Sequence, residues 1–223
     1  MKRTKLADRT LPAYTRGQEI MNMVTHIVGG GFGIIVLLMC LTKVAGTGDA
    51  LNTTGVVIYG TSMIAVYTIS SIYHGMKTGT AKKVLQILDH CTIYFLIAGT
   101  YTPILLSAFV PTYPAIGWGL LAAEWFFCIL AATLSAIDLR KYRVFSKVCY
   151  VVMGWGVAFF LPQCIEVMTP PGFCFLLSGG IAYTIGAILF GIGVKLRWMH
   201  CVFHIFVVLG SLLQFISIFG FAL

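Results

Sequence analysis

Apolar residues along the chain fall into seven long stretches, separated by short segments that favour turns. Each stretch has about the 20 residues that an α-helix needs to cross a hydrocarbon core of roughly 30 Å. The seven predicted helices cover 24–44, 52–74, 86–109, 115–137, 146–168, 173–194 and 199–221. Glycine, proline and threonine mark the turns at 46–49, 75–79, 111–114 and 169–172. The pattern predicts an all-α, polytopic membrane protein built as a seven-helix bundle.

Lysine and arginine are distributed unevenly between the predicted connecting segments. Fourteen of the 15 basic residues fall on one side of the predicted bundle, and only Lys43 falls on the other. Because cytoplasmic segments retain basic residues, we expect the N-terminus inside and the C-terminus outside. Residues 1–18 are then a basic cytoplasmic tail and residues 19–223 a single membrane domain, since no linker is long enough for a second one.

Composition supports a membrane location. Hydrophobic residues make up 59% of the chain and charged residues only 10%, far from the balance of soluble domains. We therefore expect a multi-pass protein of the plasma or inner membrane, with membrane lipid as its partner. The net charge of +8 follows from the topology and from attraction to anionic lipid, so it gives no support to nucleic-acid binding. The sequence does not determine the oligomeric state.

Three histidines lie at one predicted depth in the membrane. His200 and His204 are four residues apart at the start of the last stretch, and His74 ends the second. Side chains at i and i+4 share a helix face, and three imidazoles with an open fourth position are typical of catalytic zinc sites. We predict that these three residues bind zinc. The alternative for such a pair is interhelical hydrogen bonding or snorkelling at the interface.

Two further polar residues lie at the same depth and suit catalysis. Asp89 can accept a proton from bound water or orient a ligating imidazole. Ser70 lies one helical turn before His74 on the same face, so its hydroxyl can hydrogen-bond water or a polarised carbonyl. Polar groups in apolar helices usually face a partner or a cavity, which favours a shared site. His90 is assigned no role in it.

The chain resembles the hemolysin III proteins in four runs: SSIYH at 70–74, LDHCTIY at 88–94, IAGTYTP at 97–103 and HCVFH at 200–204. This family belongs with the progestin and adipoQ receptor (PAQR/AdipoR) superfamily. The resemblance spans nearly the whole chain. It implies seven helices with zinc near the cytoplasmic face, histidine ligands at His74, His200 and His204, and the family's serine and aspartate at Ser70 and Asp89.

A polar stripe begins before the first apolar stretch and extends into its start. Glu19, Asn22 and His26 fall at i, i+3 and i+7, on one face of a helix. The resemblance implies that this stripe faces the metal region as an entry helix. The alternative is a helix N-terminus with solvated polar residues.

Three classes of function remain open. Some relatives of the hemolysin III proteins, including alkaline ceramidases, hydrolyse lipid amides, which favours a zinc-dependent hydrolase of a lipid amide or ester with a lipid substrate or fatty acid bound. Bacterial members have been linked to membrane homeostasis and to cytolysis. A non-catalytic sensor or regulator with a structural zinc uses the same residues, whereas a channel-forming cytolysin lacks a polar stripe across the bilayer. A shared fold does not transfer an activity.

Overall fold

The computed structural model describes residues 3–193 and 196–223, and within these ranges it is helical with no strands. The helices are α1 (Arg16–Val44), α2 (Ala50–Gly75), α3 (Thr80–Thr112), α4 (Pro114–Ile137), α5 (Arg143–Gly154), α6 (Leu161–Ile192) and α7 (Met199–Ala222). A 3₁₀ turn, Gly156–Phe160, joins α5 to α6. Helices α3 and α7 contain π-helical turns at Ile104–Phe109 and Ile218–Ala222. The predicted end of the sixth stretch at Val194, and the basic residues Lys2 and Lys195, lie outside the described residues.

Six helical stretches in the described part of the chain are long and apolar enough to cross a membrane, which confirms the all-α membrane fold. The longest, Arg143–Ile192, has 50 residues and combines α5 with α6. At 1.5 Å per residue it would extend roughly 75 Å as a straight helix, more than twice the hydrocarbon core. Its backbone breaks at Thr169, with φ 62° and ψ 158°, directly before two prolines. The seven-helix count depends on separate crossings before and after this break, and it stays a prediction together with the orientation.

The first helix begins earlier than its apolar residues indicate. It starts at Arg16 rather than Val24, because Thr15 and Gln18 form a reciprocal capping box at its N-terminus. The Gln18 amide donates to the Thr15 hydroxyl, and the Thr15 amide donates to the Gln18 side chain. The whole polar stripe therefore lies inside α1.

Close contact between α1 and α2 positions the ends of both helices. A Cβ atom on Gly29 would lie 2.6 Å from the Tyr67 ring, so only glycine lets the two backbones approach this closely. The buried Tyr67 hydroxyl in turn lies 2.6 Å from Ser211 Oγ of α7. Helix α7 also packs against α6 and α1. These contacts bring the C-terminal end of α2 beside the N-terminal end of α7.

The N-terminal tail lies across the same end of the bundle and is held by hydrogen bonds. The Thr4 amide donates to Asp138, directly after α4, across 2.7 Å, and Lys83 donates to the Ala7 carbonyl across 2.6 Å. Arg3 and Arg9 both donate to the Ile137 carbonyl. The basic N-terminal tail thus lies against the helix ends. Its position brings Tyr14 against His200 at the start of α7.

Candidate metal centre

The three predicted histidine ligands lie together. His74 is in the last turn of α2, and His200 and His204 are in the first two turns of α7. All three are buried, and one ring nitrogen from each lies within 4.8 Å of the others. Helix spacing accounts for the pair on α7, and the α1–α2–α7 packing accounts for the approach of His74.

A carboxylate fixes the orientation of His74. Glu19 Oε2 lies 2.6 Å from His74 Nδ1, and Glu19 Oε1 lies 2.6 Å from Lys82 Nζ. With the Nδ1 proton donated to Glu19, the lone pair of Nε2 is free, and this buried nitrogen has no partner in the described ranges. Lys82 is buried as well and also donates to the Met76 carbonyl. A carboxylate that holds one nitrogen of an imidazole is the usual support of a metal-binding histidine.

The nitrogens of the α7 pair suit a metal ion. His200 Nε2 and His204 Nε2 are 3.1 Å apart. Two nitrogens bound to one tetrahedral zinc ion at about 2.0–2.1 Å lie about 3.3 Å apart, so the observed separation fits shared coordination. Together with the unpaired Nε2 of His74, these nitrogens form a set of three imidazole donors that could hold one metal ion.

Tyr14 covers the histidines from the tail side. Its ring stacks on His200, with centroids 4.9 Å apart and planes at 18°, and lies 5.7 Å from the His74 ring. Burial raises the pKa of the Tyr14 hydroxyl well above its usual range, and the negative charges of Asp89 and Glu19 raise it further. Tyr14 therefore stays protonated at neutral pH.

The polar stripe of α1 faces the histidines. Asn22 Nδ2 lies 3.4 Å from His74 Nδ1. The His26 ring stacks on the His204 ring, with centroids 3.8 Å apart. Both Asn22 and His26 are buried. The stripe of α1 therefore packs against the three histidines in the structure, and its role at a metal ion stays a prediction.

Asp89 and Ser70, the two predicted catalytic residues, make no direct bond to the three histidines among the residues described. The Asp89 side chain is 16% exposed, and its carboxylate accepts no hydrogen bond from the residues described. Ser70 is buried one turn before His74, and no hydrogen bond joins its hydroxyl to the histidines within the described ranges. His90 Nδ1 donates to the Gln86 carbonyl across 2.8 Å and lies 4.0 Å from Asp89 Oδ2. The catalytic roles of Asp89 and Ser70 remain predictions.

Two residues that contact the centre are not predicted from the sequence. In the sequence, Lys82 is one of the basic residues between predicted helices, and Tyr14 is one residue of the predicted tail. Each contacts a residue far away in the sequence, Glu19 and His200, so no local spacing marks them. The i, i+3, i+7 stripe was the one signal available on this side of the site.

Comparison with known proteins places these motifs in a family. The sequence profile described as Haemolysin-III related matches residues 14–215, a span that includes every residue of the candidate centre. The chain belongs to the haemolysin III-related family. It is 35% identical to Hemolysin-3 of Bacillus cereus over 206 residues, 92% of each chain. It is 32% identical to the Hemolysin-3 homolog of Bacillus subtilis (strain 168) over 205 residues, 92% of this chain and 94% of the relative.

The chain is also similar to a mammalian protein. The human monocyte to macrophage differentiation factor is 24% identical over 169 residues, 72% of this chain and 67% of that protein. This match supports the wider progestin and adipoQ receptor superfamily. Family membership and the apolar helices together make the chain a multi-pass protein of the cell membrane.

Proposed function

We propose that this protein is a zinc-dependent hydrolase of a lipid amide or ester, with His74, His200 and His204 as the metal ligands. The observation that carries the proposal is the convergence of three buried imidazoles, one of them oriented by a carboxylate. A purely hydrogen-bonded cluster would leave the buried Nε2 of His74 unsatisfied, at a cost of about 1–3 kcal/mol. A bound cation satisfies it.

Each neighbouring residue has a defined part in this proposal. Zinc would lower the pKa of a bound water to about 7 and polarise a substrate carbonyl. Glu19 keeps the proton of His74 on Nδ1, and Lys82 keeps Glu19 charged. Asp89, with no competing hydrogen bond among the described residues, would accept the proton of the attacking water and pass it to the amine or alcohol that leaves as the acyl C–N or C–O bond breaks. The Ser70 hydroxyl donates to the carbonyl oxygen as charge develops there.

The location of the site favours a lipid as substrate. The cluster lies at the ends of two apolar helices, where the polar carbonyl groups of a lipid meet its chains. The proposed orientation puts this end at the cytoplasmic face, because the basic tail and the basic segments before α3 and after α4 lie there. Tyr14 closes the site toward the tail, so a substrate arrives from the membrane.

The alternative is a non-catalytic sensor or regulator of membrane state with a structural zinc. One observation favours it: the three candidate ligands come from α2 and α7, and Glu19 of α1 is bonded to one of them, His74. An ion there would tie α2 directly to α7, and α1 through Glu19. The two functions use the same ligands and differ in turnover.

Metal analysis and a hydrolysis screen on one detergent preparation test the proposal. Wild-type protein purified without chelators should carry about one zinc per chain, because three imidazoles and one water complete a tetrahedron. His200→Ala and His204→Ala should deplete it, and His90→Ala should not. A zinc-free wild type, or full occupancy in the double variant, would overturn the ligand assignment. A stable, zinc-loaded protein that cleaves no ceramide, acyl amide or phospholipid would favour the regulator.

A further inference from the structure

The N-terminal tail crosses the end of the bundle that carries the histidines. Residues 3–14 lie before α1 and are not helical. Hydrogen bonds hold them: the Thr4 amide donates to Asp138, and the Ala7 carbonyl accepts from Lys83. Among the residues described, none from this tail belongs to the two buried apolar cores of the bundle. A segment with so few buried apolar contacts can detach while the helices stay packed.

The last residue of this segment covers one side of the histidine cluster. Five rings lie beside the His200 imidazole, and among the residues described only the ring of Tyr14 is outside a helix. The other four are His74, Phe190, Phe203 and His204. With the Tyr14 ring stacked on it, His200 is 8% exposed. Movement of Tyr14 would therefore uncover His200 while the other rings stay in place.

The chain can bend where the tail meets α1. Thr15 is extended, with φ −72° and ψ 160°, and the next residue begins the helix. The capping box between Thr15 and Gln18 makes the first hydrogen bonds of α1 without residues 3–14. Glu19, which orients His74, follows this box. Rotation at Thr15 would therefore lift Tyr14 and leave the carboxylate at His74.

We propose that residues 3–14 form a lid over the histidine cluster, which opens at Thr15 and lifts Tyr14 from His200. The closed lid shields the imidazoles from the solution on the tail side of the membrane. A metal ion enters and leaves only while the lid is open, so the lid sets the rate of metal exchange. This control of exchange rests on the proposed function, whereas the shielding of His200 requires no ion.

Chemical modification of histidines in the full chain tests the lid without a metal ion. Purified protein is treated with a chelator and then with diethyl pyrocarbonate, a small electrophile that reacts with accessible imidazoles. Peptide mass spectrometry gives the rate at each histidine. Lys83→Met removes the bond to the Ala7 carbonyl and should raise the His200 rate by about 3- to 10-fold, the usual effect of losing one hydrogen bond. Tyr14→Ala removes the cover itself and should raise it at least as much.

Two controls separate the lid from a general effect of charge or folding. Lys77→Met removes the same charge from an exposed lysine that makes no hydrogen bond to the tail among the residues described, and it should leave the His200 rate unchanged. His90 is the reference in every sample, because its side chain is 31% exposed. Its rate should be the same in all variants.

A covalent tether tests the opposite change. Cys174, the exposed native cysteine, is replaced by serine, and Ala7→Cys and Lys83→Cys are joined by a short bismaleimide. The tethered lid cannot lift freely, so the His200 rate should fall below that of the wild type. A tether that leaves this rate unchanged would overturn the lid.

Three results with the untethered proteins would also overturn it. The first is a wild-type His200 that reacts as fast as His90, and the second is a His200 rate unchanged in both Lys83→Met and Tyr14→Ala. The third is a parallel rise at His26, which stacks on His204 inside the bundle, because such a rise would mean that the helices have loosened.

Release of zinc to a chelator tests the control of exchange. In zinc-loaded protein, Lys83→Met should speed release by the same factor as the His200 modification, with the equilibrium affinity unchanged. Unchanged release would overturn the control of exchange by the lid. Failure of the hydrolase proposal looks different: a wild type that binds no zinc removes the hydrolase, while the modification rates still decide whether the tail shields His200.

Discussion

Glu19 Oε2 and His74 Nδ1 lie 2.6 Å apart, although α1 supplies none of the three predicted ligands. The orientation of a ligand on α2 is therefore set by a different helix. Lys82 at the start of α3 holds the other oxygen of the same carboxylate. A single side chain thus links three helix ends at the candidate centre, which makes it the most informative position to change.

Glu19→Gln should weaken zinc binding by about 10- to 100-fold, the usual effect of removing the carboxylate behind a ligating histidine. The amide still accepts a hydrogen bond from His74, but it loses the charge that Lys82 balances. Competition with a chelator of known affinity measures the change. Glu166→Gln is the control, since Glu166 bonds Tyr113 away from the cluster. Unchanged affinity in Glu19→Gln would mean that the charge of this carboxylate does not support metal binding through His74.

Asp89→Asn separates chemistry from metal binding. Zinc occupancy should survive, because Asp89 makes no hydrogen bond to the histidines among the described residues. Turnover of a lipid amide should fall by about 10²-fold or more, the usual effect of losing a positioned general base. Paired measurement of metal content and rate on one preparation is required. A full rate in the variant would remove Asp89 from the mechanism.

Reporter fusions test the predicted orientation. A reporter fused after Leu223 should be active only outside the cytoplasm, and one fused after Arg143 only inside, because 14 of the 15 basic residues lie on the predicted inner side. The same compartment for both fusions would instead point to an even number of crossings between the two positions.

Docking of the N-terminal tail should depend on Asp138. Hydrogen bonds from backbone amides lower the pKa of Asp138 to about 2. The bond from the Thr4 amide has the largest effect, and the amides of Lys141 and Arg140 add to it. The bound carboxylate therefore stabilises the docked tail above its ordinary pKa of about 3.9, and this stabilisation is lost as pH falls through about 2. Asp138→Ala should increase hydrogen exchange in residues 3–9 at neutral pH. Asp8→Ala, which removes an exposed carboxylate from the tail itself, is the control.

Local patterns in the sequence predicted the helices and three of the side chains that meet at the centre. Hydropathy placed His74, His200 and His204 at one depth, and helical spacing aligned the last two. The remaining features depend on tertiary contacts. The tail stacks Tyr14 on His200, and no periodic pattern in the tail sequence indicates this contact. The predicted turn at 169–172 proved narrower, because only Thr169 leaves the helical conformation and the prolines after it continue the helix.

The histidine cluster also has an order of assembly during synthesis. Glu19, His74 and Lys82 belong to the first three helices and can meet once α3 has entered the membrane. His200 and His204 belong to α7, the last helix in the sequence, so the cluster closes only after that helix has been inserted. A ribosome-bound chain that stops before α7 would hold the oriented imidazole of His74 without its two partners. The three histidines therefore come together only after the helices that precede α7 in the sequence have been inserted.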